Sequence, residues 1–239
     1  MEPFKFKNFI VRHERCAMKV GTDGVLLGAW AQLPETGRIL DIGTGSGLIA
    51  LMVAQRSKGC HVVGIDIDAD AVAQATENAA TSPFASRISI RMQDVLEYSP
   101  DEPFECIVCN PPFFTESVLP PDASRALSRS AGLLPLDQLV GKVRSLLADE
   151  GVFSLIVPAV LMKDIVSMCL ASGLRLSRRM YVRTVQGKNP KRVMLTFTPT
   201  PSVVGMVEEE EIVLTEKVTQ GGRQERSKAY SELTADFYL

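Results

Sequence analysis

The sequence predicts an α/β fold: a doubly wound, mostly parallel seven-stranded sheet with a C-terminal antiparallel hairpin. Three observations lead there. From Arg38 onward, short apolar runs alternate with stretches of helical periodicity, the mark of βαβ units. A glycine-rich turn joins the first of these runs to the first helical stretch. Near the end, two strand-like runs are joined by a loop too short for the crossover helix that parallel neighbours require, so they form a hairpin.

Strands are expected at residues 38–43, 61–66, 87–91, 104–109 and 152–157, with helices at 48–56, 70–80, 136–147 and 161–172. The helix after residue 136 is read as stopping near Asp149-Glu150-Gly151, with the glycine as terminator. The hairpin comprises residues 176–184 and 192–198 around a loop containing Gly187, Asn189 and Pro190. Residues 1–37 read as an N-terminal extension with a small helix at 25–31, and residues 38–239 as the core of a single domain.

At 239 residues and 46% hydrophobic content the chain can bury a full core. It contains no apolar run near the roughly 18 residues that span a bilayer, and no secretory leader is apparent. The expectation is a cytoplasmic protein with no membrane, metal or obligate protein partner. Five cysteines, an odd number, argue for reduced thiols. Cys106 and Cys109 stand three apart on an expected strand and so face opposite ways, which suits neither a metal nor a disulfide. His13 and His61 belong to no motif.

The net charge of −2 says little about partners, but its distribution says more. No acid occurs between Ile165 and Val207, while Arg175, Arg178, Arg179, Arg183, Lys188, Lys191 and Arg192 all do. Such a segment is either a footprint for phosphates or a solvated face.

Asp41-Ile42-Gly43-Thr44-Gly45-Ser46-Gly47 closes the first core strand and opens a helix. Its glycines allow a tight turn and a close ligand. The spacing is G-x-G-x-G rather than the G-x-G-x-x-G of a pyrophosphate site, which disfavours a nicotinamide oxidoreductase. An acid two residues before the first glycine suits a ligand bearing an ammonium group. Asp66, ending the next strand, can accept from both hydroxyls of a ribose, and Asp94, past the third, from an adenine amine. Amine, ribose and adenine together describe S-adenosyl-L-methionine.

Asn110-Pro111-Pro112-Phe113 follows the fourth core strand, whose carboxyl end faces the ligand crevice. A conjugated exocyclic amine is a poor nucleophile until its two N–H bonds are held and its lone pair is freed. The Asn110 side-chain oxygen and the Pro111 carbonyl can hold them, preset by the two prolines. Phe113 offers a stacking face for an extruded base. These residues fit adenine N6, cytosine N4, guanine N2 or a glutamine amide equally well.

The glycine loop with its following acids resembles that of the class I, Rossmann-like methyltransferases. Asn110 to Phe113 resemble the signature of the amino-methyltransferases, in which phenylalanine is common in adenine and guanine enzymes and tyrosine in glutamine enzymes. Two stretches extend the likeness toward the N-terminus: Phe4-Lys5-Phe6-Lys7-Asn8-Phe9 and Cys16-Ala17-Met18-Lys19-Val20-Gly21-Thr22-Asp23-Gly24-Val25-Leu26-Leu27-Gly28-Ala29-Trp30. Two more extend it toward the C-terminus: Asn189-Pro190-Lys191-Arg192-Val193-Met194-Leu195 and Tyr230-Ser231-Glu232-Leu233-Thr234-Ala235-Asp236-Phe237-Tyr238. With these flanks, nearly the whole chain resembles the bacterial valine-tRNA (adenine-N6)-methyltransferase family.

The resemblance implies methylation of the adenine immediately 3′ of the anticodon, with tRNA as partner. It places Asn110, Pro111, Pro112 and Phe113 at the chemistry, and Lys19, Thr22, Asp41, Gly43, Gly45, Gly47, Asp66, Ile67, Asp94 and Asn110 around the cofactor. Arg125, Arg129, Lys188, Lys191 and Arg192 are the candidates for RNA contact. Two enzyme alternatives stand beside this reading. One is an rRNA guanine-N2 methyltransferase, whose usual duplicated half has no room in this chain; the other is a protein-glutamine methyltransferase. A third alternative is a non-catalytic S-adenosylmethionine-binding RNA module.

Overall fold

The computed structural model describes residues 2–16, 18–112, 135–199, 205–218 and 224–238. Three of the expected site residues, Phe113, Arg125 and Arg129, lie outside them.

The chain opens with a short ribbon, β1 (Phe4–Lys5) against β2 (Ile10–Val11), followed by α1 (Thr22–Trp30). The core then runs β3 (Thr36–Ile42), α2 (Leu48–Arg56), β4 (Gly59–Asp66), α3 (Ala69–Ala80), β5 (Ile88–Met92) and β6 (Phe104–Cys109). After residue 135 come α4 (Leu136–Leu146), β7 (Leu147–Pro158), α5 (Met162–Ala171), β8 (Leu174–Val185) and β9 (Arg192–Pro199). Last are β10 (Glu208–Val218), β11 (Gln224–Arg226) and α6 (Lys228–Leu233).

Among the described residues one sheet has the order β11-β10-β8-β9-β7-β6-β3-β4-β5. Its β7-β6-β3-β4-β5 part is parallel throughout, and β9 runs antiparallel to both β7 and β8. The hairpin is therefore present as the sequence implies. The expected seven strands are too few: β10 adds in parallel to β8 and β11 pairs back on β10, so the described sheet has nine.

The reason is electrostatic as much as apolar. In register, Glu208 stands opposite Arg178 and Glu209 opposite Arg179. Arg178 also reaches Glu210 at 2.7 Å, Arg183 reaches Glu211 at 2.8 Å, and Arg179 binds Glu209. The basic run of β8 and the acidic run of β10 thus answer each other across neighbouring strands, a favourable arrangement of opposite charges. The Arg178 guanidinium lies 4.4 Å from the centre of the Trp30 ring, and the Trp30 indole N–H donates to Glu210 at 2.9 Å. The end of α1 is fastened to the added strand by this contact.

Both faces of the parallel sheet are covered, as such sheets require. Ile39, Val62, Cys106 and Val108 point to the side covered by α1, α2 and α6. Leu40, Val63, Ile107 and Cys109 point to the side covered by α4 and α5. Cys106 and Cys109 therefore lie in different cores, as the strand periodicity implies, and all five cysteines are buried and free. Burial pushes the Cys106 thiol up to about 12 and raises that of Cys109 as well, so neither is a thiolate at neutral pH.

Gly28 lets α1 and α2 cross closely, since a Cβ there would lie 2.7 Å from the Met52 sulfur. Gly151 is not the helix terminator that the sequence suggested. α4 ends at Leu146, the backbone turns extended at Leu147, and β7 starts at once. Gly151 lies inside β7, where a Cβ would come within 3.0 Å of the Phe104 carbonyl.

The N-terminal extension docks on the C-terminus. Lys7 donates its backbone N–H to Phe237 at 2.8 Å and its ammonium to the Ala235 carbonyl at 2.6 Å. Phe4, Phe6 and Phe9 form a ring cluster that includes Tyr238.

Candidate active site

Parallel register fixes where the site lies. Ile42, the last residue of β3, is level with Ile65 on β4 and with Cys109 on β6. The residues that follow these three, Gly43, Asp66 and Asn110, therefore stand side by side at the carboxyl edge of the sheet. That edge is where open α/β sheets bind ligands.

Gly43, Gly45 and Gly47 have φ of 68°, 55° and 80°, left-handed values that side chains resist. The turn they form is braced from within. The amides of Gly43 and Thr44 donate to the Ile65 carbonyl, and that of Gly47 to the Thr44 carbonyl. Gly45 N–H donates to Asp66 Oδ2 at 2.9 Å, and Ala50 N–H to Asp41 Oδ2 at 3.1 Å. These bonds occupy the amides of Gly43, Thr44, Gly45 and Gly47 within the protein and hold the turn in one shape.

Asp41 is fully buried. Besides the Ala50 amide, its Oδ2 accepts from the Thr44 hydroxyl at 2.7 Å. The carboxylate thus caps the first turn of α2 from the preceding strand, since Gly47 at the cap position has no side chain to do so. Asp41 Oδ1 is buried with no hydrogen-bond partner among the described residues. Burial raises the carboxyl to about 7; the Thr44 and Ala50 bonds oppose the shift and the nearby Asp66 charge adds to it.

Asp66 is half-buried. Its Oδ2 holds Gly45 and its Oδ1 accepts from Asp68 N–H at 3.0 Å, leaving a lone pair on each oxygen. Ile67 beside it is exposed. Asp94 accepts from Leu96 N–H at 2.8 Å through Oδ1, and Gln93 N–H donates to the Asp66 carbonyl at 2.9 Å, which ties the ends of β4 and β5 together. Asn110 is half-buried, Pro111 buried and Pro112 exposed.

The cradle fits S-adenosyl-L-methionine. A Cβ added at Gly43 would meet nothing within 4 Å, and one at Gly45 would meet only the Gly43 carbonyl at 4.0 Å. There is open space over the loop and, beneath it, a buried carboxyl oxygen with no partner among the described residues, an acceptor suited to a ligand that brings an ammonium group and no phosphate.

The other candidates divide. Thr22 is exposed at the start of α1, on the same rim. Lys19 gives its ammonium to the carbonyls of His13 at 2.9 Å and Cys16 at 3.1 Å, so it fastens the segment before α1. Because β8 runs with β7, the turn at residues 186–191 also lies at the carboxyl edge. Lys188 and Lys191 are exposed there with no acidic partner among the described residues, whereas Arg192 Nε donates to Asp23 Oδ2 at 2.8 Å. Among the described residues no cluster of His, Cys, Asp or Glu could hold a metal, and no helix is long and apolar enough to cross a membrane.

Several residues that build the site are not evident from the sequence: Thr44, Asp68, Asn78 and Asp23. Asn78 on α3 donates to the Ser46 carbonyl and bonds both backbone groups of Arg12. Its only sequence signal is an amide in an otherwise alanine-rich helix.

A family model described as methyltransferase small domain matches residues 19–134. A tRNA1(Val) (adenine(37)-N6)-methyltransferase of Phocaeicola vulgatus is 43% identical over 236 residues, covering 99% of this chain and 97% of that protein. One from Klebsiella pneumoniae is 39% identical over 239 residues, covering 99% and 94%. Among solved structures, a predicted O-methyltransferase from Agrobacterium tumefaciens aligns with a TM-score of 0.66 at 18% identity, covering 90% of this chain and 96% of that one. A glycopeptide N-methyltransferase solved with S-adenosylmethionine aligns at 0.56 with 14% identity, covering 76% and 100%.

Proposed function

Because the chain belongs to the tRNA1(Val) (adenine(37)-N6)-methyltransferase family, we propose that it methylates N6 of the adenine at position 37 of a valine tRNA. Its cofactor is S-adenosyl-L-methionine. The observation that carries this reading is the adjacency of Gly43, Asp66 and Asn110 at one sheet edge, which puts a methyl-donor cradle beside an amine clamp.

The cofactor, when bound, supplies an electrophilic methyl group on a sulfonium. Asp41 provides the negative charge for its ammonium, and Asp66 the acceptors for its ribose. Ile67 gives an apolar face beside the adenine, and Asp94 an acceptor for that ring's amine. Thr22 closes the methionine end.

At the acceptor, the Asn110 side-chain oxygen and the Pro111 carbonyl accept hydrogen bonds from the two N6–H groups. Phe113 stacks on the extruded base, and the buried Pro111 keeps the clamp rigid. With the cofactor bound, the freed N6 lone pair would take the methyl group while the carbon–sulfur bonding pair stays on sulfur, leaving a neutral thioether, and the methylated amine would then release a proton to solvent. No general base is required; positioning does the work. Lys188 and Lys191 meet phosphates of the anticodon arm.

The test is incubation with methyl-labelled S-adenosylmethionine and bulk unmodified tRNA, followed by digestion to nucleosides. Label in N6-methyladenosine is the expected result; label elsewhere, or in protein, rejects the acceptor.

A further inference from the structure

The ion pair between Asp23 and Arg192 joins two parts of the molecule that the chain keeps far apart. Its Nε-to-Oδ2 distance is 2.8 Å, and the two side chains are 33% and 27% exposed. Asp23 lies in the first turn of α1. The next residue, Gly24, is pressed against the loop's helix: a Cβ there would lie 3.0 Å from Leu48, the first residue of α2 after Gly47. Asp23 is thus next to a residue packed against the start of α2, which opens directly off the glycine loop.

Arg192 is the first residue of β9, level with Pro158 at the carboxyl end of β7. The carbonyl of Lys191 accepts from Ala159 N–H at 3.1 Å, and Lys191 N–H donates to the Val182 carbonyl at 3.0 Å. Arg192 therefore anchors one end of the turn that carries Lys188 and Lys191. Its guanidinium points to the glycine-loop side, where Asp23 takes it, while the two lysines remain exposed.

We propose that Asp23 and Arg192 are a positioning pair that holds the 186–191 turn in register with the glycine loop, so that RNA seated on the turn is aligned with the methyl donor. The inference rests on the function proposed above. It makes Arg192 a residue that acts through its partner and not a phosphate contact. A misalignment of about 1 Å at a transfer site can cost about a hundredfold in rate, so a pair of this kind acts on kcat more than on RNA affinity.

The test compares Asp23→Asn, Arg192→Gln, their combination and Arg192→Lys over a range of tRNA concentrations, with S-adenosylmethionine saturating. Each of the first two variants should lower kcat by about tenfold or more, with tRNA KM nearly unchanged. The combination should be no worse than the poorer single variant, because both remove one interaction. Arg192→Lys, which keeps the charge, should recover much of the rate.

If Arg192 instead binds phosphate, Arg192→Gln raises tRNA KM while Asp23→Asn, which frees the guanidinium, lowers it. That opposite pair of shifts overturns the proposal, and so do additive losses or an unchanged kcat. Hydrogen exchange supplies a readout independent of methylation. Adding S-adenosylmethionine should slow exchange of the 186–191 amides in the unmodified protein and not in Asp23→Asn. Absence of that slowing in the unmodified protein overturns the coupling, whereas slowing without any tRNA methylation leaves the pair standing and rejects the function.

Discussion

Asn78, buried on α3, donates its side-chain amide to the carbonyl of Ser46 inside the glycine loop at 2.8 Å. The same side chain donates to the Arg12 carbonyl at 2.7 Å and accepts from the Arg12 N–H at 3.0 Å. One amide thereby ties the N-terminal segment, the third helix and the glycine loop together.

Replacing Asn78 with alanine leaves the buried Ser46 carbonyl and both Arg12 backbone groups unpaired. The expected loss is about 2–3 kcal/mol of stability, together with weaker S-adenosylmethionine binding as the loop loosens. Asn78→Asp should be worse at neutral pH, since a carboxylate would face two carbonyls. Chemical denaturation with cofactor calorimetry checks both; a stable Asn78→Ala variant with unchanged affinity refutes the brace.

Asp41 gives a pH dependence whose sign is fixed by its upward shift. The folded protein keeps this carboxyl protonated up to about pH 7, while the unfolded chain releases the proton near its ordinary 3.8. Between those values the folded state binds more protons, so this group's contribution to stability falls as pH rises through the window, and the cost is complete above it. Asp41→Asn should remove that slope in melting curves taken from pH 4 to 8. Cofactor binding should run the other way. Affinity should rise by up to about tenfold per pH unit until about pH 7 and then level, because the ammonium requires the ionised carboxylate. In Asp41→Asn it should be weak and flat. A flat response in the unmodified protein would remove Asp41 from the ammonium site.

Lys188→Ala and Lys191→Ala should weaken tRNA binding, each reducing the slope of log affinity against log salt by about 1, since one phosphate fewer is neutralised. Arg179→Ala is the control, because its charge is already taken by Glu209 and should leave that slope unchanged. Equal slopes in all three variants would move the RNA interface elsewhere.

Asn110→Ala should keep cofactor affinity and lose about a hundredfold or more in kcat, the scale of removing one preorganised hydrogen-bonding group from a transition state. Paired calorimetry and single-turnover kinetics separate the two quantities. Near-normal turnover would remove Asn110 from the amine clamp.

The parallel core is legible in the sequence because its signals are local. Residues 38–43, 61–66 and 104–109 are largely apolar runs stopped by a glycine, an acid and an asparagine before two prolines, and a strand buried on both faces looks like that in any context. Glu208 to Glu211 are the opposite case. Four successive acids carry no strand signal of their own, and the arginines of β8, some thirty residues earlier, are what pair them into a strand. Asp41 is legible as an acid beside a ligand loop but not as the cap of α2, since its partners, Thr44 and Ala50, are defined only once the turn exists. Arg192 looks like a free cation in the sequence for the same reason: its partner Asp23 is 169 residues away.

Methyl transfer to one adenine of one tRNA has a direct measurement. A valine tRNA transcript is compared with a copy in which the adenine at position 37 is replaced by guanine, both incubated with methyl-labelled S-adenosylmethionine and digested to nucleosides. The expected result is N6-methyladenosine from the first and none from the second. Equal label in both, or label in a different nucleoside, would contradict the assignment.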